Sequence, residues 1–185
     1  MPAGIPHKLR TMNSSELTSG EYAPYYAPYV GTLTNIDLIE ELEISLHRLI
    51  RYVQDIPMEK FDYRYAEGKW TIKDILQHLI DAERIFSYRA LRFARNDSTE
   101  LPSFDENEYA NVANGDKRSI KDLLTELSVV RQSTLALFKT FSDEQLMRSG
   151  LASNNRMSVR TLGFVIIGHQ NHHQQVFSER YLGLV

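Results

Sequence analysis

Apolar residues recur every three to four positions in four long stretches of this chain, the period of an amphipathic helix. The first runs from about Asn35 to Asp55, where Leu38, Ile39, Leu42, Leu46, Leu49, Ile50 and Val53 share one stripe and Pro57 ends it. His47 sits on the flank of that stripe and reads as a surface or boundary residue. The second opens at Thr71, with Asp74 three residues on in the manner of a capping box, and continues to about Arg95 through Ile75, Leu76, Leu79, Ile80, Ile85, Phe86 and Leu91. The third opens at Ser119 with Asp122 and carries Leu123, Leu124, Leu127, Val130, Leu137, Phe138 and Phe141. Arg131 falls near its apolar stripe, which predicts a buried ion-pairing residue. The fourth runs from Ser158 to about Leu182 with Leu162, Val165, Ile166, His169, His173 and Val176 on its inner face. Gly163 and Gly168 interrupt it, each at a cost of about 1 kcal/mol against alanine, so close approach of a neighbouring helix is expected there.

The segments between these stretches are punctuated differently. Residues 1–33 contain Pro2, Pro6, Gly20, Pro24, Pro28 and Gly31, with Tyr22, Tyr25, Tyr26 and Tyr29 among them, and read as an arm whose tyrosines pack on the outside of the body. Residues 56–70 read as a linker, 96–118 as a loop of unusual length that is either functional or a crossover, and 150–156 as a loop. Ser142 to Gln145 begins a short extra turn, and no segment makes a convincing strand. The expected class is all-α: a four-helix bundle over residues 34–185 with the arm 1–33 against it, its long connections permitting a crossover.

Length fits one domain with a sizeable core. A net charge of −3 gives no basic field that would draw the chain to nucleic acid. The absence of cysteine removes disulfides, thiolate ligands and a protein-borne thiol nucleophile. No apolar run long enough for a signal peptide or a membrane span occurs, so no membrane partner and a cytoplasmic setting are expected.

The chemistry-bearing stretch is Gly168-His169-Gln170-Asn171-His172-His173. On a helix His169 and His173 are offset by only ~40°, so both imidazoles can aim at one point, while His172 falls on the other flank. Two neutral imidazoles suit a transition metal, and a third ligand would have to come from another helix. His78 lies inside the second helix; alone it reads more readily as a hydrogen-bonded core histidine, and paired surface histidines also occur, so the residues by themselves leave both readings open. Asp81, one turn on, could hold an imidazole N–H or work as a base. Arg89, eleven residues on, returns to the His78 face and is expected to ion-pair at the bundle end; Arg180 returns to the His169 face in the same way. There is no His-Glu-x-x-His, no Glu-x-x-His, no Gly-x-Ser-x-Gly, no Walker loop and no dinucleotide glycine motif.

Several of these segments resemble the DinB/YfiT-like superfamily. They are Lys69-Trp70-Thr71-Ile72-Lys73-Asp74 through Gln77-His78-Leu79-Ile80-Asp81-Ala82-Glu83, then Tyr88 to Arg95, Leu101-Pro102-Ser103-Phe104-Asp105, Gly168 to His173 and Glu179-Arg180-Tyr181-Leu182. The arm Gly20-Glu21-Tyr22-Ala23-Pro24-Tyr25-Tyr26 is similar to family N-termini. The resemblance implies a four-helix bundle with a crossover between helices 2 and 3. It also implies a divalent metal, nickel or zinc foremost with iron or manganese next, held at the positions of His78, His169 and His173. His172 would then line the pocket or meet a partner in a homodimer. Characterised relatives include S-transferases that use low-molecular-weight thiols and a related isomerase, and others are described as metal-dependent hydrolases. The resemblance thus implies a thiol transferase acting on a small molecule. The alternatives are a hydrolase working through metal-bound hydroxide, with Asp81 as its base or as a residue that orients a ligand, and a non-catalytic, stress-related metal-binding module.

Overall fold

The computed structural model describes residues 12–184; Pro2 and Pro6 of the arm lie outside the described residues. Four long helices build the body: α2 (Leu38–Gln54), α3 (Ile72–Ala94), α5 (Ile120–Phe138) and α7 (Val159–Val176). Shorter elements are α1 (Ala27–Val30), α4 (Glu106–Ala113), α6 (Asp143–Met147), β1 (Ser149–Ala152) and β2 (Asn155–Ser158). Each long helix starts on a side-chain cap that satisfies otherwise orphaned backbone N–H groups. Asp37 accepts from Ile39 and Glu40, Ser119 from Asp122 and Ser158 from Thr161. Thr71 and Asp74 form both halves of a reciprocal box, at 3.1 and 2.9 Å.

The order of the helices in space follows from which residues meet. Gln77 pairs with Arg118 and Ser87 with Thr134, so α3 and α5 run parallel. Ser45 meets Gln170 and Tyr52 meets Ser178, so α2 and α7 are also parallel. His78 opposite His169, and Trp70 opposite Tyr181, set α3 antiparallel to α7. Consecutive parallel neighbours cannot be joined by a tight turn, and the α3–α5 connection therefore crosses the length of the bundle, as expected of the 96–118 segment. That segment is not bare loop: it contains α4, capped by Asp105 through the N–H groups of Asn107 and Glu108. No residue of α4 is buried, so it carries no apolar stripe to betray it.

The 150–156 loop is likewise replaced by a hairpin, β1 pairing antiparallel with β2 in the register Ser149↔Ser158 to Ala152↔Asn155. Its two-residue turn, Ser153-Asn154, has both φ angles positive, at 55° and 59°, the turn that matches the twist of paired strands. Strands of four residues are too short to show a period against a helical background.

Two apolar clusters fill the two ends of the bundle, one including Leu38, Phe93, Phe138 and Leu162, the other Leu49, Ile72, Leu123 and Phe177. A buried polar layer with Arg131 at its centre separates them. The described part of the arm is stitched to the body. The Leu38 N–H donates to the Met12 carbonyl, and Arg160 grips Glu21 through Nε at 2.7 Å and Nη2 at 2.6 Å. The expectation that the arm's tyrosines stay outside needs correction for Tyr26, which is 4% exposed and belongs to the core with Met12.

Candidate metal centre

α7 is unbroken α-helix from its Ser158 cap to Val176, so His169 and His173 keep the one-turn spacing that puts them on one face. The antiparallel α3 brings His78 opposite them. The Nε2 atom of His169 lies 3.0 Å from that of His78 and 3.0 Å from that of His173. One nitrogen from each residue lies within 4.8 Å of the others. The rings are nearly edge-on to one another, with centroids 4.6 to 5.1 Å apart.

Burial pushes the His78 imidazole down to about 4. Burial, and then the neighbouring imidazoles, holds His169 and His173 well below the ordinary histidine value. All three are neutral at pH 7. A neutral Nε2 has one in-plane site, either a hydrogen or a lone pair, so His169 cannot hydrogen-bond well to both neighbours at once. Three such atoms converging on one point is the arrangement a cation satisfies and hydrogen bonding does not. His173 Nδ1 is buried without a hydrogen-bond partner among the described residues. With Nε2 turned to the cluster, that Nδ1 carries the ring hydrogen. A set of neutral imidazoles fits a transition metal of borderline softness, and three protein ligands leave positions for an incoming group.

Two cavities meet at this cluster. The first, of about 330 Å³, is walled by Tyr26, Tyr29, Trp70, Phe86 and Phe104, with Arg89, Glu106, Ser153 and Asn155 among its polar lining. The second, of about 280 Å³, is lined by Tyr65, Lys69, Asn107 and Tyr181. Trp70, His172 and His173 border both. The Trp70 ring lies 5.0 Å from His78, and Tyr29 stands edge-on to His169 at 5.2 Å and to His172 at 5.4 Å.

Gly168 explains how Tyr29 comes so close. A Cβ at that position would stand 2.2 Å from the Tyr29 carbonyl oxygen. The close neighbour at Gly168 is thus the backbone of the arm's α1, not a bundle helix, whereas at Gly163 the neighbours are Phe138 and Leu38 from α5 and α2. The absence of one side chain on α7 lets the arm become a wall of the cavity.

The other candidate residues separate. His172 is not part of the three-nitrogen cluster but lines both cavities, and His47 is exposed. Asp81 lines neither cavity: it accepts from Gln77 at 3.1 Å and lies 3.8 Å from Arg84, so its carboxylate is committed on the α5 side and touches no ligand imidazole. Arg180 is exposed, because residues Phe177–Leu182 form a π turn that shifts the helical register and turns Tyr181 inward in its place. Among the described residues Arg89 makes no ion pair; it is 3% exposed and lines the first cavity. The wall residues Tyr26, Tyr29, Trp70 and Phe104 carry no ligand spacing in the sequence; the tyrosine density of the arm points toward the first two, and the family-like segments around 69–83 and 101–105 contain the others.

The DinB superfamily profile matches residues 41–177. A protein of Oceanobacillus iheyensis named "Putative metal-dependent hydrolase" is 24% identical over 137 residues, covering 73% of this chain and 78% of its own length. "Putative metal-dependent hydrolase YfiT" of Bacillus subtilis is 24% identical over 144 residues, 75% of this chain and 77% of its own. The solved structure of that YfiT, described as a probable metal-dependent hydrolase with an unusual four-helix bundle topology, superposes with a TM-score of 0.67 at 20% identity over 80% of this chain and 87% of its own. The match spans α2, α3, α5 and α7 and with them all three histidines of the cluster: this chain belongs to the DinB superfamily.

Proposed function

We propose that this protein is a metal-dependent transferase that joins a low-molecular-weight thiol to a small electrophile. The observation that carries this reading is the pair of cavities sharing one wall at Trp70, His172 and His173. A one-substrate hydrolase needs one organic pocket beside the metal, whereas a transferase must hold two organic groups against the same point. His78, His169 and His173 are the proposed ligands, for nickel or zinc before iron or manganese. A divalent ion at their Nε2 atoms would supply stabilisation of a thiolate at neutral pH.

The chain's own residues account for the rest. The thiol would arrive with the cosubstrate, consistent with a chain that has no cysteine and with a thiol-reducing cytoplasmic setting. In the proposed reaction the thiol gives up its proton, the carbon–sulfur bond forms, and the leaving group departs with its electron pair. Tyr29, Phe86, Phe104 and Trp70 exclude water from the reacting pair. Burial raises the Tyr29 phenol above its ordinary value, which keeps it a hydrogen-bond donor at any physiological pH. His172, outside the ligand cluster but on both walls, is placed to take up the thiol proton.

The test is to incubate nickel- or zinc-loaded protein with cysteine, glutathione and other small thiols and a chloronitrobenzene acceptor, following conjugates by mass spectrometry. Metal-dependent conjugates that vanish in H173A are expected. Metal-dependent ester or amide cleavage without any conjugate would replace this reading with the second one, hydrolysis, which the names of the relatives favour.

A further inference from the structure

Three arginines are almost fully buried: Arg89 at 3%, Arg131 at 2% and Arg160 at 5% exposure. Two of them are neutralised, Arg131 by Glu83 and Arg160 by Glu21. Arg89 is not. Among the described residues no carboxylate lies within ion-pairing distance of it, although Glu106 stands on the wall of the same cavity. A guanidinium is always charged, and burying it without a counter-ion is costly.

What holds Arg89 in place leaves part of it for a ligand. Its Nη2 donates to the Pro102 carbonyl and to Ser153 Oγ, each at 3.0 Å. Its guanidinium carbon lies 5.9 Å from the centre of the Phe104 ring. Ser153 is the positive-φ corner of the β1–β2 hairpin, which a bridge between Leu101 and Ala152 ties to the crossover. Two separate segments thus fix one edge of the fork. The Tyr26 hydroxyl also lies within hydrogen-bonding reach of the guanidinium, and among the described residues no carboxylate and no main-chain oxygen other than that of Pro102 accepts from it. The remaining edge borders a cavity whose other polar groups include the Tyr26 hydroxyl and Asn155.

We infer that Arg89 is the receptor for a carboxylate on the acceptor substrate, so that the first cavity takes small organic acids whose reactive carbon faces the histidine cluster. This rests on the reading of that cavity as the acceptor lobe of the transferase. Arg89 lies about three turns of α3 beyond His78 on the same face, and both side chains reach into one cavity, so the acid group and the reacting carbon lie at opposite ends of a small ligand. A planar two-oxygen anion matches the fork; a phosphate shares its charge but not its shape.

Isothermal titration of the metal-loaded protein with benzoate, methyl benzoate and phenyl phosphate tests the assignment. Benzoate is expected to bind and to shift the Arg89 Nε–H resonance, and methyl benzoate to do neither. R89Q, checked for folding by circular dichroism, is expected to weaken benzoate by roughly ten- to a hundredfold, with R89K recovering part of the loss. Equal binding of acid and ester, or undiminished benzoate binding in folded R89Q, would overturn the proposal, and tighter binding of phenyl phosphate would overturn the choice of a carboxylate. The Nε–H shift in the wild-type protein decides the matter if R89Q does not fold. Failure of every thiol conjugation with benzoate still read by Arg89 would remove the transferase and keep the receptor. With conjugation active, an unchanged KM for 4-chloro-3-nitrobenzoate in R89Q would do the reverse.

Discussion

Arg131 and Glu83 form a two-pronged ion pair across α5 and α3, Nε to Oε1 at 2.8 Å and Nη2 to Oε2 at 3.0 Å, in the polar layer between the two apolar clusters. Nη1 adds the Leu42 carbonyl and Ser45 Oγ, and Nη2 adds Gln170 Oε1, so all five N–H groups of the guanidinium are used. The network reaches three other helices from α5 and ends at Gln170, next in sequence to His169. Removing one partner leaves a buried charge alone. R131M is therefore expected to cost about 3–5 kcal/mol, and E83L/R131M much less than the sum of its parts, as measured by denaturant unfolding.

Metal content is expected to separate the three histidines of the cluster from His172 and His47. Alanine at 78, 169 or 173 is expected to lower bound metal at least tenfold in elemental analysis after dialysis, whereas H172A and H47A keep it. Undiminished metal in H173A would remove His173 from the ligand set.

Gly168→Ala places a methyl 2.2 Å from a backbone oxygen that has no rotamer to escape through. The arm must move. We expect a loss of about 1–3 kcal/mol in stability and faster amide exchange over residues 20–31, with the metal retained because both α7 ligands stay in register. Unchanged exchange in the arm would mean that Gly168 is not what seats it.

Acid should unseat the arm as well. Burial alone would raise the Glu21 carboxyl, but hydrogen bonds from Arg160, the Thr18 backbone and Ser158 outweigh it and lower the group from 4.5 to about 2. A carboxyl depressed in the fold contributes stability that is complete above its unfolded value of about 4.5 and disappears as pH falls toward 2. Reduced by solvent screening, the contribution is on the order of 1–2 kcal/mol at neutral pH, so thermal unfolding between pH 5 and 2 is expected to be steeper in the wild type than in E21Q.

How much of this could be read from the chain depends on the range of the forces involved. The four helices are local: stripe, cap and breaker lie within one segment, so their existence, and their starts to within a few residues, are written in the periodicity. The pairing of His169 with His173 is also local geometry. His78 is different, since its proximity to them depends on the antiparallel packing of α3 on α7, and only the family resemblance pointed to it. α4 has no buried face and β1–β2 no length, so neither leaves a periodic trace. Regular helical spacing puts Arg180 on the His169 face, but the π turn at Phe177–Leu182 shifts the register and leaves it exposed. Arg89 reads from the sequence as an ion-pairing residue at the bundle end, but its environment is made by Pro102 and Ser153, segments remote in sequence.

The parallel course of α3 and α5 has a further consequence. It obliges the chain to carry a long return strap outside the helices, and that strap supplies Ser103, Phe104 and Glu106 to the ligand cavity while contributing nothing to the three nitrogens. The three nitrogens therefore come entirely from the packed body, whereas the cavity beside them is walled partly by that body and partly by a segment draped across it. Replacing the strap is expected to reshape one side of that cavity while leaving the three-histidine cluster in place.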